Sequence, residues 1–118
     1  MIDYLSPSPH IPVLYHEIIN ALAPYSGGLY VDGTLGAGGH AYGILEFSSP
    51  QGKLLGLDLD PQALVFANQR LSIFKDRVII QKGSYVEMTS HLVKLGWQFV
   101  DGIILDLGVS SIQLDTKE

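Results

Sequence analysis

The residues of this chain best suited to chemistry lie in a glycine-rich turn. Residues 29–40 read LYVDGTLGAGGH, in which an apolar run ends at Asp32 and four glycines follow, three of them at 36, 38 and 39. Glycine lets the backbone turn sharply and leaves no Cβ between the main chain and a ligand. A helix that begins behind such a turn directs its unpaired amide groups at that ligand. The spacing Gly36-x-Gly38-x-x-Ala41 fits the dinucleotide-binding pattern, which is a weak signal by itself.

Two aspartates near this turn favour an adenosine cofactor. Asp58 follows Gly36 by 22 residues and ends an apolar run, where an acid accepts hydrogen bonds from ribose hydroxyls. It could instead cap the next helix, although Asp60, followed by Pro61, is better placed for that role. Asp32, four residues before the first glycine, suits the ammonium group of S-adenosylmethionine better than the pyrophosphate of a nicotinamide cofactor. Bonding to the amides of the turn is an equally good role for Asp32.

The elements that must position these residues alternate between strand and helix. Apolar runs predict four strands, at residues 29–32, 53–58, 78–81 and 100–105. Helical spacing predicts helices before and between them: one with a stripe of Leu14, Ile18 and Ala21, one over about 40–47, one that Asp60 caps with a stripe of Leu64, Ala67 and Leu71, and one that ends at Gly96. Because no hairpin signal separates the strands, we expect an α/β fold with a parallel, doubly wound sheet. Ligands of such sheets bind outside the carboxyl ends of the strands.

Composition sets limits on the class of protein. The chain has 118 residues, a net charge of −5 and no cysteine, so disulfides and thiolate metal sites are excluded. Its seven basic residues all lie beyond residue 52, scattered among acids, and form no basic stripe of the kind that grips nucleic acid. No apolar run is long enough to cross a membrane and no signal peptide is evident, so we expect a cytoplasmic protein. With four histidines and no HxxxH or HxH spacing, we expect no metal site.

Four motifs make the chain resemble a known family. They are HIPVL at residues 10–14, DGTLGAGGH at 32–40, DLDPQA at 58–63 and DGIILDLGVSS at 101–111. In this order and spacing they resemble the bacterial 16S rRNA (cytosine-N4)-methyltransferases, and the last motif is far more specific than the glycine pattern. The resemblance implies a Rossmann-like methyltransferase fold and S-adenosyl-L-methionine as methyl donor. It also implies methylation of a cytosine in the decoding region of 16S rRNA within the small ribosomal subunit.

The resemblance also implies which residues contact the cofactor: Gly38, Gly39, His40, Asp58, Tyr85, Asp106 and Gln113. Two of these regions depart from the family pattern. Family members commonly carry phenylalanine where Tyr85 stands, and an aromatic face against adenine survives that change. They commonly carry proline at Ile112, so the loop with Gln113 is expected to be less rigid here.

The resemblance further implies strands and a helical insertion that this sequence lacks. We therefore expect residues 1–28 to form an arm and a helix, and residues 29–118 to form the first part of a methyltransferase domain that is truncated after strand four. The edge of that strand would then be open to pairing with a second copy. A cofactor-binding or interaction module without turnover is the alternative, and a nicotinamide-binding module is a third reading. The catalytic residue is unknown; Asp106 is a hypothesis, as an acceptor that orients the target amine.

Overall fold

A computed structural model of the protein describes residues 15–106, in which helices and strands alternate. The elements are α1 (Tyr15–Leu22), β1 (Leu29–Asp32), α2 (Gly39–Phe47), β2 (Lys53–Asp58), α3 (Pro61–Leu71), a 3-10 segment (Ser72–Arg77), β3 (Val78–Lys82), a 3-10 turn (Tyr85–Glu87), α4 (Met88–Leu95) and β4 (Gly102–Ile104). The predicted bounds of β1 and β2 are confirmed residue by residue. Neither 3-10 segment was predicted.

The strands form one parallel sheet in the order β3-β2-β1-β4. β1 lies between β2 and β4, so the strand order reverses beside it, which is where a ligand site is expected. The prediction of 100–105 for the fourth strand was too long. β1 offers partners only up to Asp32, which pairs with Ile104. The next bond in the ladder runs from the Gly33 N–H to the Ile104 carbonyl, after which β4 has no partner strand to follow.

Each face of the sheet is covered by helices, as a doubly wound sheet requires. One core lies under α1, α2 and α3 and includes Tyr30, Ile44 and Leu54. The other lies under α4 and includes Val31 and Leu55. Consecutive residues of β1 and β2 thus point to opposite faces. Burying a leucine side chain fully contributes about 1.5–3 kcal/mol, so these layers hold the carboxyl ends of β1 and β2 firmly in register.

The first helix buries only part of the predicted stripe. Ile18 packs against the core as predicted, whereas Ala21 is exposed. Ile19, which was not predicted, is buried, and Tyr15 and Leu22 pack against the same core. Leu14 lies outside the described residues. Tyr15, Ile19 and Leu22 also follow helical spacing, and the larger side chains occupy the core. In α3 the predicted stripe is confirmed, with Ala67 and Leu71 buried. Within residues 15–106, no helix is long and apolar enough to span a membrane.

Candidate functional site

The glycine-rich turn leaves β1 and is anchored by Leu35. The Leu35 N–H donates to the Leu57 carbonyl at 2.9 Å, and its side chain is buried. That side chain packs directly over Gly56 of β2, where a Cβ would come within 2.8 Å of it. Gly56 is therefore the reason that the turn can lie close against the sheet.

The turn then enters α2 through two glycines with left-handed backbone. Gly36 has φ +56° and Gly38 has φ +92°, values that side chains other than glycine rarely adopt. Gly38 is the N-cap of α2 and offers no side chain to its amide groups. The first turn of α2 therefore keeps N–H groups available for a ligand. The sequence predicted both the turn and the helix behind it.

Asp58 braces this turn across 22 residues of sequence. Its carboxylate accepts from the Gly36 N–H at 2.7 Å through Oδ2 and from the Asp60 N–H at 2.9 Å through Oδ1. Asp60 is the N-cap of α3 and accepts from the Gln62 N–H, as predicted. A carboxylate has about four lone-pair directions, so Asp58 keeps capacity for a ligand hydroxyl. Its contact with a ribose stays a prediction.

Asp32 is buried at the end of β1. Only 1% of its surface is exposed, and one carboxylate oxygen accepts from the Thr34 N–H at 3.1 Å. Burial raises the pKa of Asp32 to about 7; the Thr34 N–H opposes this rise, and the charges of Asp106 and Asp58 add to it. The structure therefore shows Asp32 bonded to an amide of the turn, one of the two roles that the sequence allowed. It also makes Asp32 an acid whose charge changes near neutral pH.

Thr34 joins the ends of β1 and β4. Its Oγ1 accepts from the Asp106 N–H at 2.6 Å, while its own N–H is bonded to Asp32. Asp106 is exposed and directly follows Leu105, the residue after β4. Sequence reasoning singled out no role for Thr34. Its position between Asp32 and Gly36 was visible, but its contact with a residue 72 positions away was not.

His40 is the second residue of α2 and is buried, with 6% of its surface exposed. Among the described residues its Nε2 has no hydrogen-bond partner. Burial lowers the pKa of His40, and the charge of Asp106 opposes that change. A buried polar atom without a partner costs about 1–3 kcal/mol, so an unpaired imidazole nitrogen beside a glycine-rich turn indicates a group that a ligand completes.

Tyr85 reaches the same end of the sheet from the 3-10 turn after β3. A Cβ on Gly33 would meet the Cβ of Tyr85 at 2.7 Å and the side chain of Leu105 at 2.5 Å. Tyr85 thus packs on the residue that follows β1, and 37% of it stays exposed. Its predicted contact with adenine is untested. Gln113 lies outside the described residues.

The structure brings the predicted residues into one electrostatic neighbourhood. The carboxyl ends of β1, β2 and β4 carry Asp32, Asp58 and Asp106, and the last two raise the pKa of the first. Asp58 and Asp106, together with Asp32 when it is ionised, make this end of the sheet negative, which favours a ligand with positive charge and opposes a pyrophosphate. No group of three or more histidine, cysteine or acidic side chains suited to a metal ion occurs within residues 15–106.

Comparison with solved structures identifies the fold. An rRNA methylase from Streptococcus thermophilus superimposes with a TM-score of 0.64 at 21% identity, over 94% of this chain and 63% of that one. An RNA methyltransferase from Salinibacter ruber, solved with S-adenosyl-L-homocysteine, superimposes with a TM-score of 0.56 at 16% identity, over 69% and 52% of the two chains. The fold is therefore the Rossmann-like fold of S-adenosylmethionine-dependent methyltransferases, as the sequence predicted.

Comparison with sequences gives the family. The profile of the MraW methylase family matches residues 7–118, so this chain belongs to the MraW methylase family. The ribosomal RNA small subunit methyltransferase H of Geobacter sulfurreducens is 51% identical over 109 residues, which are 92% of this chain and 35% of that protein. The family resemblance inferred from the four motifs is confirmed. The chain spans about a third of the length of such relatives.

Proposed function

We propose that this chain forms the S-adenosylmethionine-binding part of a ribosomal RNA methyltransferase. We further propose that the whole protein methylates the N4 amino group of a cytosine in the decoding region of 16S rRNA. The observation that carries the cofactor assignment is the convergence of Asp32, Asp58 and Asp106 on a glycine-rich turn that also holds a buried, unpaired His40.

The residues present fit this cofactor better than a dinucleotide. S-adenosylmethionine carries a sulfonium and an ammonium group, and both positive charges are complementary to the carboxylates of Asp58 and Asp106. A pyrophosphate would bring negative charge to the same acids, at a Coulomb cost of about 4 kcal/mol per pair at 4 Å in a partly screened site. The charge of the site therefore disfavours the nicotinamide reading. The cofactor of the Salinibacter ruber neighbour supports the same choice.

Each predicted contact has a specific task in this proposal. Gly38 and Gly39 present the first amides of α2 to the cofactor, and Asp58 accepts from the ribose hydroxyls while it braces Gly36. Tyr85 presents its exposed ring to the adenine. Asp106, two residues after β4, and Gln113 are proposed as the remaining contacts. The bound cofactor supplies an electrophilic methyl group on its sulfonium.

Positioning is the main catalytic task of this chain, because methyl transfer is an in-line displacement. Thr34 fixes the backbone of Asp106 through the 2.6 Å bond to its N–H. In this proposal the Asp106 carboxylate accepts a hydrogen bond from the target amine and stabilises its developing positive charge. An Asp106→Asn variant of the full-length protein that keeps cofactor affinity and loses turnover supports this role. Equal loss of both assigns Asp106 to cofactor binding alone.

The RNA contacts are proposed to lie mainly outside this chain. Its net charge of −5 and its scattered basic residues give little attraction for phosphate. The relatives have about two thirds of their length beyond the matched part. We accordingly propose the division into an arm and helix at residues 1–28 and the first part of the methyltransferase domain at 29–118, and a cytoplasmic location alongside ribosomes.

Calorimetry separates the cofactor hypotheses. We expect the 118-residue chain to bind S-adenosylhomocysteine and not NADH, since only the first carries the ammonium-bearing tail. Binding of NADH alone would reject the proposal. Methyl transfer to 30S subunits is then measured with this chain and with a full-length relative as positive control. Two hypotheses predict that this chain binds the cofactor without turnover: that it is a fragment whose RNA contacts lie elsewhere, and the alternative, that it is a binding module. Turnover by this chain alone would reject both.

A further inference from the structure

The aromatic ring of Tyr15 packs on the imidazole of His40. Tyr15 is the first residue of α1 and His40 lies in the first turn of α2. The two ring centroids are 6.1 Å apart and the ring planes differ by 12°, a stacked geometry within the range of favourable aromatic pairs. The ring of His16 meets Tyr15 at 5.2 Å, edge to face. The N-terminal helix is therefore in direct contact with a residue of the glycine-turn site.

A glycine makes this packing possible. Gly43 lies three residues after His40, on the same side of α2. A Cβ on Gly43 would overlap the hydroxyl of Tyr15 and approach its Cζ to 2.8 Å. Glycine inside a helix is destabilising by about 0.5–1 kcal/mol relative to alanine. Its presence here lets the Tyr15 ring lie flat across α2, from His40 to Gly43.

The packing restricts a side chain that has an unused bonding group. His40 is buried, and its Nε2 has no partner among the described residues. Buried polar atoms are nearly always bonded, so this unpaired nitrogen lacks the partner that a polar group of a bound ligand would supply. If the imidazole bonds that group in only one orientation, a fixed ring plane increases the affinity, because the rotamer freedom is lost before binding rather than during it.

We propose that Tyr15 is a positioning residue for the cofactor site, which holds the His40 imidazole in the orientation in which Nε2 bonds the bound cofactor. This inference rests on the proposed function. It assigns to α1 a direct part in cofactor affinity, beyond its contribution to the core. The ring of Tyr15 carries this role and its hydroxyl does not, because the contact with His40 is made by stacking.

The test compares Tyr15→Leu with Tyr15→Phe by calorimetry with S-adenosylhomocysteine. Leucine keeps much of the apolar bulk and removes the flat face. We expect a Kd about threefold to tenfold weaker, the range expected when the rotamer freedom of one side chain is lost on binding instead of before it. Phenylalanine keeps the face, so its Kd is expected to equal that of the wild type. The ¹⁵N signal of His40 Nε2 is expected to shift on ligand addition in the wild type and the Phe variant, and less in the Leu variant.

Tyr42→Leu is the matched control for general loosening of the core. Tyr42 lies on α2, is half-buried and pairs edge to face with Phe74 at 5.1 Å. Its loss therefore removes an aromatic ring of the same size that is not stacked on His40, although the charge of Tyr42 adds to the burial that raises the pKa of Tyr15. We expect its Kd to stay unchanged at matched folded fraction. Gly43→Ala displaces the Tyr15 ring while it improves helix propensity. We expect it to weaken cofactor binding as well, and it tests the role of Tyr15 if Tyr15→Leu fails to fold.

The outcomes distinguish this inference from the proposed function. If the wild type binds and Tyr15→Leu binds with the same affinity, the role of Tyr15 is overturned and the cofactor site is left intact. Gly43→Ala is read in the same way if Tyr15→Leu does not fold. An equal loss in Tyr42→Leu also overturns the role of Tyr15, because the effect would then be one of core stability. No binding by a folded wild type rejects the proposed cofactor site itself, and the inference falls with it.

Discussion

Replacement of Asp32 by asparagine tests the electrostatics of the site most directly. Asp32 is 1% exposed and burial raises its pKa from 3.8 to about 7. The folded state therefore binds this proton more tightly than the unfolded state does. The resulting stabilisation is fully present below pH 3.8 and is lost as the pH rises through about 7.

The magnitude follows from the size of the shift. Each pKa unit is worth about 1.4 kcal/mol, so ionised Asp32 lowers the free energy of unfolding by roughly 4 kcal/mol above pH 7 relative to a neutral side chain. About 3 kcal/mol of this develops between pH 5 and pH 8. Asparagine has no charge at any of these values and keeps an oxygen that accepts from the Thr34 N–H. The stability of Asp32→Asn relative to wild type should therefore increase by about 3 kcal/mol over this interval.

Urea unfolding at pH 5 and pH 8, followed by the fluorescence of the single tryptophan, Trp97, measures this difference. Subtracting wild type from variant cancels the pH dependence of all other groups, including His40, whose lowered pKa acts in the opposite direction. Asp60→Asn is the matched control: it removes one exposed carboxylate and keeps a good N-cap. A stability difference for Asp32→Asn that is the same at both pH values would refute the argument from burial.

Two further substitutions test the turn and the helix that flank the site. Gly38→Ala should destabilise the fold by about 1–2 kcal/mol because φ is +92°. Gly36→Ala should destabilise it less, because a Cβ there meets nothing within 4 Å. Equal urea midpoints for the two variants would contradict this expectation. Asp60→Ala should lower the free energy of unfolding by about 1 kcal/mol through loss of the hydrogen bond from the Gln62 N–H. Asp60→Asn should keep the thermal stability of the wild type. An alanine variant as stable as the wild type would show that the cap contributes little.

Much of the fold could be predicted because the two central strands, β1 and β2, are buried along almost their whole length. β1 and β2 read as apolar runs bounded by turn residues, and their ends were predicted correctly. β4 was predicted too long because its length depends on where β1 stops, which the sequence of β4 does not contain. In α1 the prediction of Ile18 is confirmed, whereas Ala21 is exposed and the more deeply buried Ile19 was missed. Ile18 and Ile19 both fit a helical stripe, and only the tertiary packing decides which is buried more.

The candidate site divides in the same way. The sequence by itself determined the glycine turn, the acids that end the strands and the family, because these depend on residue types at short spacing. Only the tertiary structure decided that Asp58 bonds the Gly36 amide, that Thr34 holds Asp106, and that Tyr15 packs on His40. These contacts join residues 22 to 72 positions apart, and burial, which sets the charge of Asp32, is a property of all the elements packed around it.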